Sequence, residues 1–234
     1  MLVNDVIANA VLMLIPMVLS LTVHEFAHAW AAKLLGDDTA EREDRLNLNP
    51  LNHADPIGTI LLPLMILLAN GAAGAGALRV PFFGWARPVP TNPMNYRKSM
   101  DMRKGMMLVA LAGPMSNLIL AFIAAGILVF GYQGQWYHDI PAPLQSLLSL
   151  LFGINVALFV FNMIPIYPLD GEKILSFFLK GQAAQDFENF NRQYGSMMLM
   201  LLVFFGHRFI GHPIRFVNEA VLGVVSGAAR VIGF

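Results

Sequence analysis

Cysteine is absent from all 234 residues, which excludes disulfides and thiolate ligands, so any metal here has to be taken by histidine and carboxylate. Charge is scarce as well. Only 13% of residues are Asp, Glu, Lys or Arg, against roughly 25% in a soluble domain. The 15 basic and 15 acidic residues cancel, so no global field attracts nucleic acid and charge effects have to be local. The N-terminus has neither a basic n-region nor a small-residue cleavage site, and its first apolar stretch is expected to remain in the mature chain. No internal repeat, linker or appended soluble domain is visible.

What is abundant is apolar: 56% of the chain is hydrophobic. Runs at Val6 to Val23, Ile57 to Leu78, Gly105 to Phe130, Leu144 to Ile164 and Met197 to Ile210 compare with the roughly 20 residues that span a bilayer as a helix. We expect an all-α polytopic membrane protein with about five to six transmembrane or re-entrant helices and one short membrane-embedded β-hairpin or loop. A single integral-membrane domain covers 1–234 on this reading, with a core at 6–180 and C-terminal helices at 194–234. The first helix should end at Gly36, ahead of Asp37 and Asp38. The hairpin is placed at Val80 to Pro93, where Pro81, Pro88, Pro90 and Pro93 break any helix while Phe82, Phe83 and Trp85 keep the segment apolar. Irregular backbone at membrane depth is tolerated only where protein or a wet cavity covers it.

Arg97, Lys98, Arg103 and Lys104 precede the Gly105 run, and the positive-inside bias places them in the cytoplasm. The chain then crosses outward and the Leu144 run returns it, leaving Asp170 near the cytoplasmic end. A first helix running inward carries His24 about 27 Å from Val6 at 1.5 Å per residue, to the same end.

In His24-Glu25-Phe26-Ala27-His28 two imidazoles stand at i and i+4 on one helical face, spaced to bind one metal ion, and Glu25 is beside them to work on water. At this chain's own residue frequencies such a pattern arises by chance in about 0.4% of sequences this long. The alternative is a solvated helix face, but the flanks are Val23, Phe26, Ala27 and Ala29, and ionisable groups inside a span are costly unless they function. A catalytic zinc site needs a third protein ligand and an open position. Asp170 is the best-placed candidate, in Asn162-Met-Ile-Pro165-Ile-Tyr-Pro168-Leu-Asp170-Gly171, where two prolines end an apolar helix and Gly171 allows a tight turn. Its other reading is an ordinary loop aspartate capping a helix that starts near Glu172.

With these motifs the chain resembles the compact members of the site-2 protease family, peptidase family M50, which lack PDZ or CBS modules. The likeness extends to Asn49-Pro50-Leu51, Asp55-Pro56-x-Gly58-Thr59, Phe83-Gly84-Trp85-Ala86-x-Pro88-Val89-Pro90 and Ala112-Gly113-Pro114-x-x-Asn117. It departs at Asp44-Arg45 and Glu172-Lys173, where Gly-Arg is common in the family. The resemblance implies one Zn2+ per chain held by His24, His28 and Asp170, with Glu25 as general base or acid. It also implies Asn162 beside the bound peptide, a transmembrane protein as substrate, and a prokaryotic cell membrane with the site toward the cytoplasm. A Pro-rich hairpin at Val80 to Pro93 suits an extended substrate pairing by strand addition. Asn117 is assigned to helix packing or to the substrate. His53, with Asp55, either gates the cleft, supports the site from behind it, or sits in a solvated loop. The rival function is a metal-ion transporter or channel using the same His/Asp cluster.

Overall fold

The computed structural model describes residues 3–72 and 84–232. Helix dominates them, and among the described residues the only β-pairing is an isolated antiparallel bridge between Ala54 and Ala86. In chain order the helices are α1 (Val3–Leu35), the short α2 (Thr39–Arg42) and α3 (Pro50–His53), α4 (Leu62–Ala72), α5 (Met102–Gln133), α6 (Ala142–Asn162), α7 (Asp170–Phe178), α8 (Gly181–Phe205) and α9 (His207–Val231). A π-helical turn at Pro56–Leu61 leads into α4. Asp55 starts that turn by accepting the Ile57 and Gly58 N–H groups, and Asp101 starts α5 by accepting that of Lys104, each satisfying donors that a helix leaves open. As expected, α1 stops at Gly36, whose φ of +110° turns the chain out of the helix.

The described residues show fewer full-length spans than five, and the re-entrant alternative covers the rest. Among the described residues α1 from Val11 onward, α5 and α6 are long and apolar enough to cross a bilayer, and a fourth crossing exists only if α8 and α9, bent by 75°, count as one broken span. The described part of the Ile57 run divides between the π turn and α4, whose 11 described residues reach about 16 Å, half of a hydrocarbon core of about 30 Å, and 73–78 lie outside the described residues. Of the two alternatives for Val80 to Pro93, the described part takes the loop: residues 84–92 are an extended strap without strand pairing beyond the Ala86 bridge, and 80–83 lie outside the described residues.

Exposure on the long helices follows the helical period. Val11, Ile15, Leu19, Trp30 and Leu34 form one outward stripe on α1, and Met115, Ile119, Ile123 and Ile127 one on α5, as lipid-facing surfaces would. Their opposite faces meet. Helix α5 lies at the centre, against α1, α6, α7 and α9. Ala121, Ala124 and Ala125 on α5 are fully buried against Phe152, Val156 and Val160 of α6 and Val221 and Val225 of α9. Small residues let backbones approach closely, which matters in lipid, where hydrophobicity does not drive helices together.

Beyond α1 a carboxylate clamps the loops. Asp37 is buried and accepts hydrogen bonds from the Asn92 N–H (2.6 Å), the Asn95 side-chain amide (3.0 Å), the Thr39 N–H (3.1 Å) and the Thr39 hydroxyl. Burial alone would raise its pKa, but the bonds from Thr39, Asn92 and Asn95 outweigh that and hold it below its ordinary value. Replacing Asp37 by Ala should therefore cost about 3 kcal/mol, the scale for orphaning donors that met a charge. Because its folded pKa is lowered, this contribution is present above the unfolded value of about 3.9 and is lost as pH falls through the folded value. Thermal unfolding in detergent across acid pH checks this: Asp37→Asn should show a weaker acid dependence than wild type.

Candidate metal centre

Helical spacing brings the two imidazoles of α1 together as the sequence suggested. His24 and His28 have Nε2 atoms 3.0 Å apart and rings at 87° to one another. Asp170 reaches them from a distant part of the chain. Helix α6 ends at Asn162, an irregular turn containing a cis Tyr167–Pro168 peptide follows, and α7 begins at Asp170 itself. Its Oδ2 lies 3.2 Å from His24 Nε2 and 3.3 Å from His28 Nε2. The helix starts two residues earlier than the capping alternative required, and the carboxylate points at the histidines. Gly171 is needed for close approach rather than for a tight turn: a Cβ there would lie 2.5 Å from the Ile164 carbonyl oxygen and closer still to that of Met163.

The three atoms form a nearly equilateral triangle with edges of 3.0, 3.2 and 3.3 Å. One face of a tetrahedron around zinc, with bonds of about 2.0–2.1 Å, has edges of about 3.3–3.4 Å. The donor chemistry agrees. His28 Nδ1 lies 2.7 Å from the Val109 carbonyl and His24 Nδ1 lies 2.6 Å from the Asn117 Oδ1. Both partners accept, so both imidazoles when neutral carry their protons on Nδ1 and turn bare Nε2 lone pairs toward a carboxylate. Two lone pairs and an anion facing one point call for a cation, and each histidine has the outer partner that metal-bound imidazoles usually have. Gly113 on α5 makes the space: a Cβ there would lie 2.7 Å from His24 Cε1 and nearer still to His28 Nε2. Among the described residues this is the one cluster of three His or acidic side chains that could hold a metal ion.

Glu25 is buried beside the pair, and its Oε2 accepts the Val89 N–H at 2.8 Å. That donor belongs to the strap, which is tied down along its length. Trp85 N–H bonds the Gly58 carbonyl at 3.2 Å and Trp85 O accepts the Thr59 hydroxyl at 2.7 Å. Arg87 N–H bonds the His53 carbonyl at 2.9 Å, and Arg87 O accepts from the buried Arg45 guanidinium at 2.7 Å. The strap and the three-residue cluster border an open cleft of about 310 Å³, lined also by Leu158, Phe161, Asn162 and Leu199.

The remaining sequence candidates divide. Asn162 lines the cavity, although its amide donates to the Leu158 carbonyl at 3.0 Å. Residues 84–86, 88, 89 and 91 of the proposed hairpin segment line it too. Asn117 is fully buried behind His24. His53 is neither in a solvated loop nor on the cavity wall: it is buried, with Nε2 2.7 Å from the Asn47 carbonyl. Sequence reasoning missed the Val89 N–H, which no side-chain pattern announces, and the buried Ser20 and Asn155. Asn155, a polar residue inside an apolar span, was the signal for the last.

Fold and donor set combine long apolar helices with a His/His/Asp cluster that could hold a metal ion. The family model for peptidase family M50 matches residues 132–204. The candidate zinc metalloprotease YwhC of Bacillus subtilis is 41% identical over 165 residues, 70% of this chain and 67% of YwhC. The candidate zinc metalloprotease Rip2 of Mycolicibacterium smegmatis is 32% identical over 153 residues, 65% of this chain and 51% of Rip2. MJ0611 of Methanocaldococcus jannaschii, similarly named, is 38% identical over 69 residues, 29% of this chain and 31% of its own. No solved structure matches significantly. The chain belongs to the site-2 protease family of zinc metallopeptidases, peptidase family M50. Its cofactor is one zinc ion, which the three-residue cluster fits. The match spans about half the length of Rip2.

Proposed function

We propose that this protein is an intramembrane endopeptidase that hydrolyses peptide bonds within or next to transmembrane segments of other membrane proteins. The observation that carries the reading is the depth of the site. Gly113, against which both histidines pack, lies about 16 Å along α5 from its N-terminus at Met102, inside a helix apolar enough to cross the bilayer. The basic residues Arg97, Lys98, Arg103 and Lys104 support a cytoplasmic position for that end. The chain is read as one membrane protease domain in a prokaryotic cell membrane, with the bent α8–α9 pair at its C-terminal side.

On this reading His24, His28 and Asp170 hold the ion, which when bound supplies Lewis acidity toward the scissile carbonyl and water. Glu25 accepts the proton of the attacking water on its carboxylate and delivers it to the leaving amine. The Val89 N–H holds one carboxylate oxygen, which leaves the other for the proton. Asn162, on the cavity wall, meets the substrate backbone. A substrate helix hides its peptide bonds in its own hydrogen bonds, so it has to be locally extended before attack, and the strap borders the cleft where that stretch would lie. A transporter would need polar groups along a path, whereas here they gather at one depth.

The test is direct. The purified protein in detergent should carry one zinc per chain and cleave single-span substrates. A chelator should abolish cleavage and added zinc should restore it. Zinc-containing protein that cleaves no membrane substrate, yet moves the ion across proteoliposomes, would overturn the proposal.

A further inference from the structure

Behind His24 a polar cluster buried in the protein joins three helices. Ser20 of α1, Asn117 of α5 and Asn155 of α6 are each 0% exposed. Neither the proposed chemistry nor the cavity uses Ser20 or Asn155.

The directions of their hydrogen bonds can be fixed from the far end, because backbone carbonyls only accept. Ser20 Oγ donates its single proton to the Pro16 carbonyl at 2.6 Å. Its lone pairs are then free for Asn155 Nδ2, at 2.8 Å, and the second proton of that amide goes to the Leu151 carbonyl at 2.8 Å. Asn155 therefore turns Oδ1 toward Asn117, whose Nδ2 donates to it at 2.9 Å and to the Ser20 carbonyl at 3.3 Å. That leaves Asn117 Oδ1 to face His24 Nδ1 at 2.6 Å. An amide is nearly symmetric in shape, so Asn117 alone does not decide which end meets the ring. Reversed, it would aim an N–H at Nδ1 and drive the ring proton to Nε2, 3.2 Å from Asp170 Oδ2, where the ion has to sit.

We infer that Ser20, Asn117 and Asn155 form a one-way hydrogen-bond relay that fixes the tautomer of His24, making Ser20 and Asn155 positioning residues for metal binding although neither touches the site. The inference rests on His24 being a zinc ligand. His28 has no such relay and needs none, because its Nδ1 faces a backbone carbonyl directly.

Zinc affinity by chelator competition, the absorption spectrum of the cobalt-substituted protein and the thermal midpoint of the metal-free protein test this in wild type, Asn155→Leu, Ser20→Ala and His24→Ala. Loss of outer partners typically weakens metal binding about 10–100-fold. Asn155→Leu should fall in that range, with an altered cobalt spectrum. Ser20→Ala, which removes only the last acceptor of the relay, should fall near the lower end, about tenfold. If Asn155→Leu does not fold, Ser20→Ala decides alone. Zinc affinity within about twofold of wild type and an unchanged cobalt spectrum in the folded relay variants, with only the metal-free midpoint lowered, would overturn the relay. In that case His24→Ala still losing the ion would leave the ligand assignment standing. A His24→Ala protein that binds zinc normally would overturn both.

Discussion

Glu25→Gln should leave zinc in place and lower the cleavage rate about 10²- to 10⁴-fold, the range that general-base catalysis contributes. The substitution is nearly isosteric, and the glutamine carbonyl can still accept the Val89 N–H that now meets Oε2 at 2.8 Å. What disappears is the proton acceptor. Glu25 is not one of the three residues of the cluster that could hold the ion, so elemental analysis should find the ion unchanged. Turnover of a single-span substrate by the zinc-loaded variant is the measurement. A variant that retained more than about a tenth of wild-type turnover would show that the base is elsewhere.

Gly113→Ala should lower zinc affinity at least about 100-fold while leaving the metal-free fold intact. The added methyl would overlap His28 Nε2 and crowd His24. Both are the far ends of side chains that can swing away when nothing is bound, but not while both nitrogens hold one ion. Alanine is also better than glycine inside a helix by about 1 kcal/mol, so the apo-protein has little reason to lose stability. Gly126, on the same helix, has nothing within 4 Å of its would-be Cβ, which makes Gly126→Ala the internal control. Chelator competition on the two variants should separate them sharply; equal affinities would mean that α5 does not wall the metal site.

The part of the site legible in the sequence was the part carried by one element. His24, Glu25 and His28 share a helix, and helical geometry alone determines their spacing. Asp170 is far away in the chain, and its approach depends on the turn after α6 and on α7 starting at Asp170 rather than near Glu172. Pattern reading left capping open there because aspartate is common in both roles. Partners across helices were illegible for the same reason: Asn117 and Asn155 each look like a stray polar residue in an apolar run, and only packing shows that they meet. The solvated-loop alternative for His53 does not hold, since the residue is buried with Nε2 on the Asn47 carbonyl and its own carbonyl on the strap. The all-helical membrane character followed from composition. The number of full crossings did not, since hydrophobicity does not reveal that Pro56–Leu61 winds as a π turn ahead of α4 or that α8 and α9 meet at a 75° bend.

The buried Ser20, Asn117 and Asn155 also constrain how the molecule moves. Their bonds join α1, α5 and α6 crosswise, and rotating or sliding any one helix would strand amides where no water can replace the lost partner. The three helices are therefore expected to move together, and on the proposed function any widening of the cleft falls to what surrounds them. The strap is one such wall. The other is α8, which rests chiefly on α7 and α9 and contributes Leu199 to the cavity. On the proposed function, these two walls are where a polypeptide would gain access to the three-residue cluster.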